Sequence, residues 1–135
     1  EFWELVKYYH GDRSAIEYCK KEKGYSLAWL RHKGRNKHHH QYWYDYQAYD
    51  ETPLMPYKYI VELICDDLAA GIVYNGKKWN NSTQLNYWNS KRDGYFINDK
   101  VKNMVTAAVI EVSKYGIKKT IIKGNMRKLY KEFCE

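Results

Sequence analysis

Four of the five histidines of this chain fall in one run, Leu30-Arg31-His32-Lys33-Gly34-Arg35-Asn36-Lys37-His38-His39-His40-Gln41-Tyr42-Trp43. Imidazole is the commonest protein ligand for borderline metals, and it is the side chain that changes charge between about pH 5 and 8. The run is therefore a candidate metal or proton-responsive site. The competing reading is a set of solvated or hydrogen-bonded histidines on a basic surface. If the run is helical, three consecutive residues spread over about 200° of azimuth, so His38, His39 and His40 cannot all face one metal. One or two of them point inward.

A metal site needs carboxylates or further imidazoles from elsewhere. Asp66 and Asp67 are adjacent acids inside the otherwise apolar stretch Leu63-Ile64-Cys65-Asp66-Asp67-Leu68-Ala69-Ala70. A charge in the stripe of a buried helix is costly unless it is paired or metal-bound, so at least one of the two is expected to face a site. The bland alternative has one facing solvent and the other paired with an Arg or Lys. Other chemistries find less support. Cys19, Cys65 and Cys134 are odd in number, form no CxxC pair, and lie in helical contexts that predict unreactive thiols in a reducing cytoplasm. P-loop and dinucleotide glycine motifs are absent, and no pattern marks a haem pocket, so neither haem nor a nucleotide cofactor is expected.

The elements that must position these residues read as helices. Phe2-Trp3-Glu4-Leu5-Val6-Lys7-Tyr8-Tyr9 has near-helical apolar spacing and stops at His10-Gly11. Ser14-Ala15-Ile16-Glu17 has the form of a capping box that opens a second helix to about Glu22. Ser26 to His32 is a third, ended by Gly34, and Asn36 is expected to cap a fourth that carries His38 to Tyr46. Tyr49 to Met55 is a loop, after which Pro56 suits a first helical turn. Ile60, Ile64, Leu68 and Ile72 then recur every four residues, the mark of a buried helix that ends at Asn75-Gly76. A turn at Asn80-Asn81-Ser82 leads to a short helix through Leu85, Tyr87 and Trp88, and Lys91 to Gly94 is a loop. Asn98 caps a long helix through Val101, Met104, Val105, Ala108, Val109 and Val112, closed by Gly116. Ile117 to Lys123 suits strand or helix, and a last helix runs from Asn125 through Phe133. The sum is an all-α chain, expected to be a single compact multi-helix domain over residues 1–135.

The 135 residues carry 23 Lys and Arg against 16 Asp and Glu, a formal charge of +7, with a pI near 9.2 and a mean hydropathy of -0.81. This balance favours anionic partners, whether phosphorylated small molecules, nucleotides or nucleic acid. It is equally compatible with a protein that is merely basic. Fifteen Tyr and five Trp serve either as core edges or as stacking platforms. No segment reaches the run of about 18 apolar residues that spans a bilayer, and no signal peptide is recognisable, so no membrane partner is expected. The chain begins Glu1-Phe2-Trp3 without an initiator methionine, as a fragment or processed product would.

The strings His32-Lys33-Gly34-Arg35-Asn36-Lys37-His38-His39, Tyr42-Trp43, Met55-Pro56, Glu62-Leu63-Ile64-Cys65-Asp66 and Val73-Tyr74-Asn75-Gly76-Lys77 resemble the bacterial and phage DUF5662 family. Phe2-Trp3, Tyr8-Tyr9, Gly11, Arg13-Ser14 and Gly24 to Leu30 extend the likeness over most of the chain. That family looks related to the HD-domain metal-dependent phosphohydrolases, helical proteins that hold one or two divalent metals through His and Asp. The resemblance implies an HD-like helical bundle in which His32 and either His38 or His39 are middle ligands and Asp66 is the late one. His10, His40 and Asp67 lie outside the matched pattern, and Arg31 stands where the family usually has a further histidine. The resemblance also implies an early His and a His-Asp pair ahead of Phe2-Trp3. This chain has no His-Asp dipeptide, so it is expected to lack that upstream part.

A completed site of this kind would hydrolyse a phosphoester. A divalent metal lowers the pKa of bound water and clamps phosphate oxygens, leaving Arg13, Arg35 and Lys37 to neutralise substrate charge. His, Asp and water ligation suits Mn, Fe, Zn, Ni or Co better than an all-oxygen magnesium site. Trp43 or Tyr74 is placed to stack a base, with core packing as the alternative use. A second class of function is a non-enzymatic nucleic-acid- or protein-binding module. It would use Lys33, Arg35, Lys37 and the aromatics, or the C-terminal cluster of Lys114, Lys118, Lys119, Lys123, Arg127, Lys128 and Lys131.

Overall fold

The computed structural model describes residues 1–11, 14–44 and 52–135. They fall into two compact units, Glu1–Lys37 and His38–Glu135. The described residues form α-helices joined by turns and short 3-10 segments, with no strand, so the chain is all-α.

The first unit contains α1 (Phe2–Lys7), α2 (Ala15–Lys23) and α3 (Leu27–Arg35). A six-residue helix such as α1 is too short to persist alone, and a tertiary cap ties it down. The Glu4 carboxylate accepts from the backbone N–H of Leu27 at 3.1 Å and of Ala28 at 3.2 Å, and from the Ser26 hydroxyl. Ser26 Oγ in turn accepts from Trp29 N at 3.1 Å, so the free donors of the α3 start are met by two side chains. The Ser26 hydroxyl, together with those backbone N–H groups, holds the Glu4 carboxyl below its usual range. Gly24, left-handed at φ 84°, closes α2, and the buried Cys19 thiol donates to Tyr25 O.

Three local expectations change here. Ser14 stands at the N-cap of α2, but its hydroxyl makes no cap bond; only its carbonyl is used, by Glu17 N at 3.0 Å. Helix α3 runs through Gly34 to Arg35, because a glycine in helical conformation costs only about 1 kcal/mol. Asn36 then closes α3 rather than opening a new helix: its Nδ2 donates at 2.7 Å to His32 O, one of the carbonyls a helix end leaves free.

In the second unit, over the described part of the helix predicted from His38 to Tyr46, the chain forms a single 3-10 turn, His40–Trp43. Tyr46 and the first three residues of the Tyr49 to Met55 loop lie outside the described residues. Pro56 is the N-cap of α4 (Tyr57–Asn75), followed by α5 (Thr83–Lys91), α6 (Asp99–Tyr115), the single turn α7 (Ile117–Thr120) and α8 (Lys123–Cys134). The segment ambiguous between strand and helix is thus a helical turn.

One apolar cluster holds this unit together. It joins Ile60, Ile64 and Leu68 of α4 to Trp88 of α5, the six buried residues of α6 from Val101 to Val112, and Met126, Leu129 and Cys134 of α8. Each large apolar side chain so buried contributes roughly 1.5–3 kcal/mol. Ile72, expected to continue the α4 stripe, is 42 % exposed, since the last turn of that helix runs beyond the cluster. Asn98 caps α6 as its position predicts: its side chain accepts from Lys100 N at 2.9 Å and donates to Thr52 O at 2.8 Å. Burial of Ile60, Ile64 and Leu68 fixes the rotation of α4. Glu62 and Asp66, four residues apart, are thereby set on the same outer face.

Candidate metal site

On that outer face, the His38 imidazole lies between the two carboxylates. Its Nδ1 is 3.8 Å from Glu62 Oε2 and its Nε2 is 3.9 Å from Asp66 Oδ2. The His38 side chain is mostly buried at 20 % exposure, whereas Asp66 is open at 56 %. Both separations exceed hydrogen-bond length. Two ligand atoms each about 2.0–2.2 Å from one ion lie roughly 3–4 Å apart, so the Nε2–Asp66 pair has the spacing of two donors to a shared cation. Because the carboxylates meet opposite nitrogens of the ring, a single ion on Nε2 takes Asp66 and leaves Glu62 to orient the ring through Nδ1. That is the usual division of labour around a metal-bound histidine. The imidazole and carboxylate donors thus fit a borderline divalent metal, with open sides toward solvent. The Lys58 ammonium, 3.9 Å from Glu62 Oε1, places a cation beside it.

The two neighbouring histidines take different places. The His39 ring lies against His38, with centroids 4.5 Å apart. His40 turns away and stacks on Tyr95 at 4.6 Å, where burial pushes its pKa down and keeps the ring neutral. The three imidazoles do not converge, as expected, although the backbone that spreads them is a turn and not a helix.

Asp66 and Asp67 also part company. Asp67 Oδ2 accepts from Gln84 Nε2 at 2.7 Å, on the side of α4 that meets α5. Burial raises its pKa to about 6, against the lowering effect of the Gln84 bond, and the Asp66 charge adds to the rise. The partner of Asp67 is therefore an amide, not an Arg or Lys. Gln84 is 2 % exposed, and its amide oxygen occupies the space a Cβ on Gly71 would need.

The remaining predicted residues have partners of their own. His32 sits on the last turn of α3 in the first unit, with Asn36 Nδ2 at 3.2 Å from its Nδ1. Arg35 in the same unit is engaged by Glu1, with Nη2 2.6 Å from Oε2, which competes with any role in holding phosphate. Lys37 is exposed at the end of that unit, and Arg13 lies outside the described residues. His10 stacks on Tyr18 at 4.0 Å. Trp43 packs on the apolar cluster of the second unit, whereas Tyr74 is exposed. All three cysteines are free thiols, and burial raises the pKa of each, so none is activated as a nucleophile. Glu62 is the residue to which sequence reasoning gave no role. Its signal was its position four residues before Asp66 on a helix whose rotation was already fixed.

A family model described as "Family of unknown function (DUF5662)" matches residues 2–111. No curated protein and no solved structure matches the chain.

Proposed function

The chain belongs to the DUF5662 family, and on that premise we propose that it is an HD-like, divalent-metal-dependent phosphohydrolase acting on a phosphoester or nucleotide. The observation that carries this reading is the His38 imidazole flanked by Glu62 and Asp66. His38 and Asp66 would hold the metal, and His39 lies beside them. His32 is the further ligand that the family resemblance names. Mn, Fe, Zn, Ni or Co suits this nitrogen and oxygen donor set. Such an ion, when bound, supplies an acidified water and a clamp for phosphate oxygens. Glu62 fixes the ring of His38, and Lys37, Arg13 and Lys58 offer positive charge for the substrate. Free, unactivated thiols fit a reducing cytoplasm as the setting.

The test is metal analysis of the purified chain, with hydrolysis of p-nitrophenyl phosphate and a nucleotide panel under each of the five metals. The wild type is expected to bind about one equivalent. His38→Ala and Asp66→Ala should abolish binding and turnover, and Glu62→Gln should weaken affinity by about 10- to 100-fold. A wild type that takes up none of these ions, or an Asp66→Ala variant that binds as well as wild type, would overturn the reading.

A further inference from the structure

The positive charge of this protein is concentrated at one end of the second unit. Between Glu111 and Glu132 the chain has no acidic residue but carries six lysines and Arg127. Those seven cations equal the whole formal excess of +7, because the other sixteen Lys and Arg balance the sixteen Asp and Glu. All seven are exposed. None of the six lysines forms an ion pair or a side-chain hydrogen bond among the described residues, and Arg127 lies over the Tyr57 ring at 3.8 Å. Glu111, the acid that bounds the run on its N-terminal side, is occupied by Asn125 Nδ2 at 2.6 Å.

The cations also stand where the backbone adds to their field. Lys118 and Lys119 on α7 and Lys123 in the first turn of α8 gather at the positive end of the α8 dipole. That turn has no acid, and its N-cap, Ile122, offers no capping side chain. Cations at a helix N-terminus repel its dipole, and a bound anion relieves the repulsion. Along α8, Lys123, Arg127, Lys128 and Lys131 share the outer face, opposite the buried Met126 and Leu129.

We infer that this α7–α8 end binds the phosphate backbone of duplex nucleic acid without reading its sequence. Lysine ammonium groups act as point charges with no fixed geometry, which suits contact with phosphates more than with base edges. A helix lying in a membrane surface needs a free apolar face, and that of α8 is consumed by the core. Single-strand binding relies on rows of exposed aromatics, and among these cations only Tyr115, at 62 % exposure, is available. The basic end begins after residue 111, where the family match stops, and it shares no residue with the His38 site.

The experiment is fluorescence anisotropy of a labelled 20-base-pair duplex of random sequence, titrated with the full chain in EDTA at several salt concentrations. EDTA makes the outcome independent of the proposed metal site. Affinity should fall steeply with salt, with a log–log slope of up to about -6 if all seven cations engage. Lys119→Gln/Lys123→Gln/Lys128→Gln should lose roughly ten- to a hundredfold in affinity and flatten the slope by about 3. Lys77→Gln/Lys78→Gln/Lys91→Gln removes the same charge from exposed lysines elsewhere in the unit and should leave both nearly unchanged. Thermal melts of both variants should match wild type. Equal losses in the two triple variants, no duplex binding at low salt, or binding to phosphatidylserine vesicles in place of the duplex would each overturn the inference.

Discussion

Asp67 shows how far one side chain departs from its neighbour on the same turn. Asp66 is in solvent and faces an imidazole, whereas Asp67 is half-buried against Gln84 with its pKa raised to about 6 from 3.8. A carboxyl whose folded pKa exceeds its unfolded value keeps its proton longer in the folded chain. Its contribution to stability is therefore present at low pH and is lost as pH rises through about 6. Asp67→Asn retains an acceptor for Gln84 Nε2 and removes the ionisation. Urea unfolding in EDTA should show the variant gaining on wild type by about 1–3 kcal/mol between pH 4 and 7.5. A difference that does not change with pH would show that Asp67 is solvated. From the sequence, both acids were legible as anomalies in an apolar run. Which of them faced the histidines was not, because 100° of helix rotation separates them and only packing sets the zero of that angle.

At the level of elements, the meeting of α4 and α5 depends on a missing methyl group. Gly71 is in ordinary helical conformation, so it is not there for its backbone freedom; the Gln84 amide oxygen fills the place of its Cβ. Gly71→Ala gains about 1 kcal/mol of helix propensity but forces the Gln84 amide away from Asp67. A disrupted buried hydrogen bond and an overpacked contact each cost about 1–3 kcal/mol, so the net effect should be destabilising by roughly 1–5 kcal/mol. Chemical denaturation reads this directly, and in the Gly71→Ala/Gln84→Ala double variant the losses should not add. An Ala variant as stable as wild type would mean that Gln84 swings aside freely. The same level holds the clearest misreading: Asn36 has the chemistry of either a helix opener or a closer. The carbonyl of His32 decided for the latter, and the histidine run became a turn.

For the molecule as a whole, the apolar cluster of the second unit is the largest store of stability. Met104 is fully buried at its centre, so Met104→Ala should cost about 2–5 kcal/mol, measured as the shift of the urea midpoint with an unchanged slope. A loss below 1 kcal/mol would place the centre of the core elsewhere. The periodicity of α4 and α6 made that core readable in advance. Ile60, Ile64, Leu68 and the α6 residues Val101 to Val112 recur at helical spacing, and burial of apolar area is the force that spacing encodes. The sequence alone therefore determined the all-α class, the core-facing stripes, the family, and the histidine run and Asp66 as the places to look. Tertiary structure decided that His38 and not His40 turns to the carboxylates, that Glu62 joins Asp66, and that Arg35 is drawn to Glu1. The reason is physical: spacing along a helix fixes which residues share a face. Only the packing of other elements against that face fixes what each residue meets.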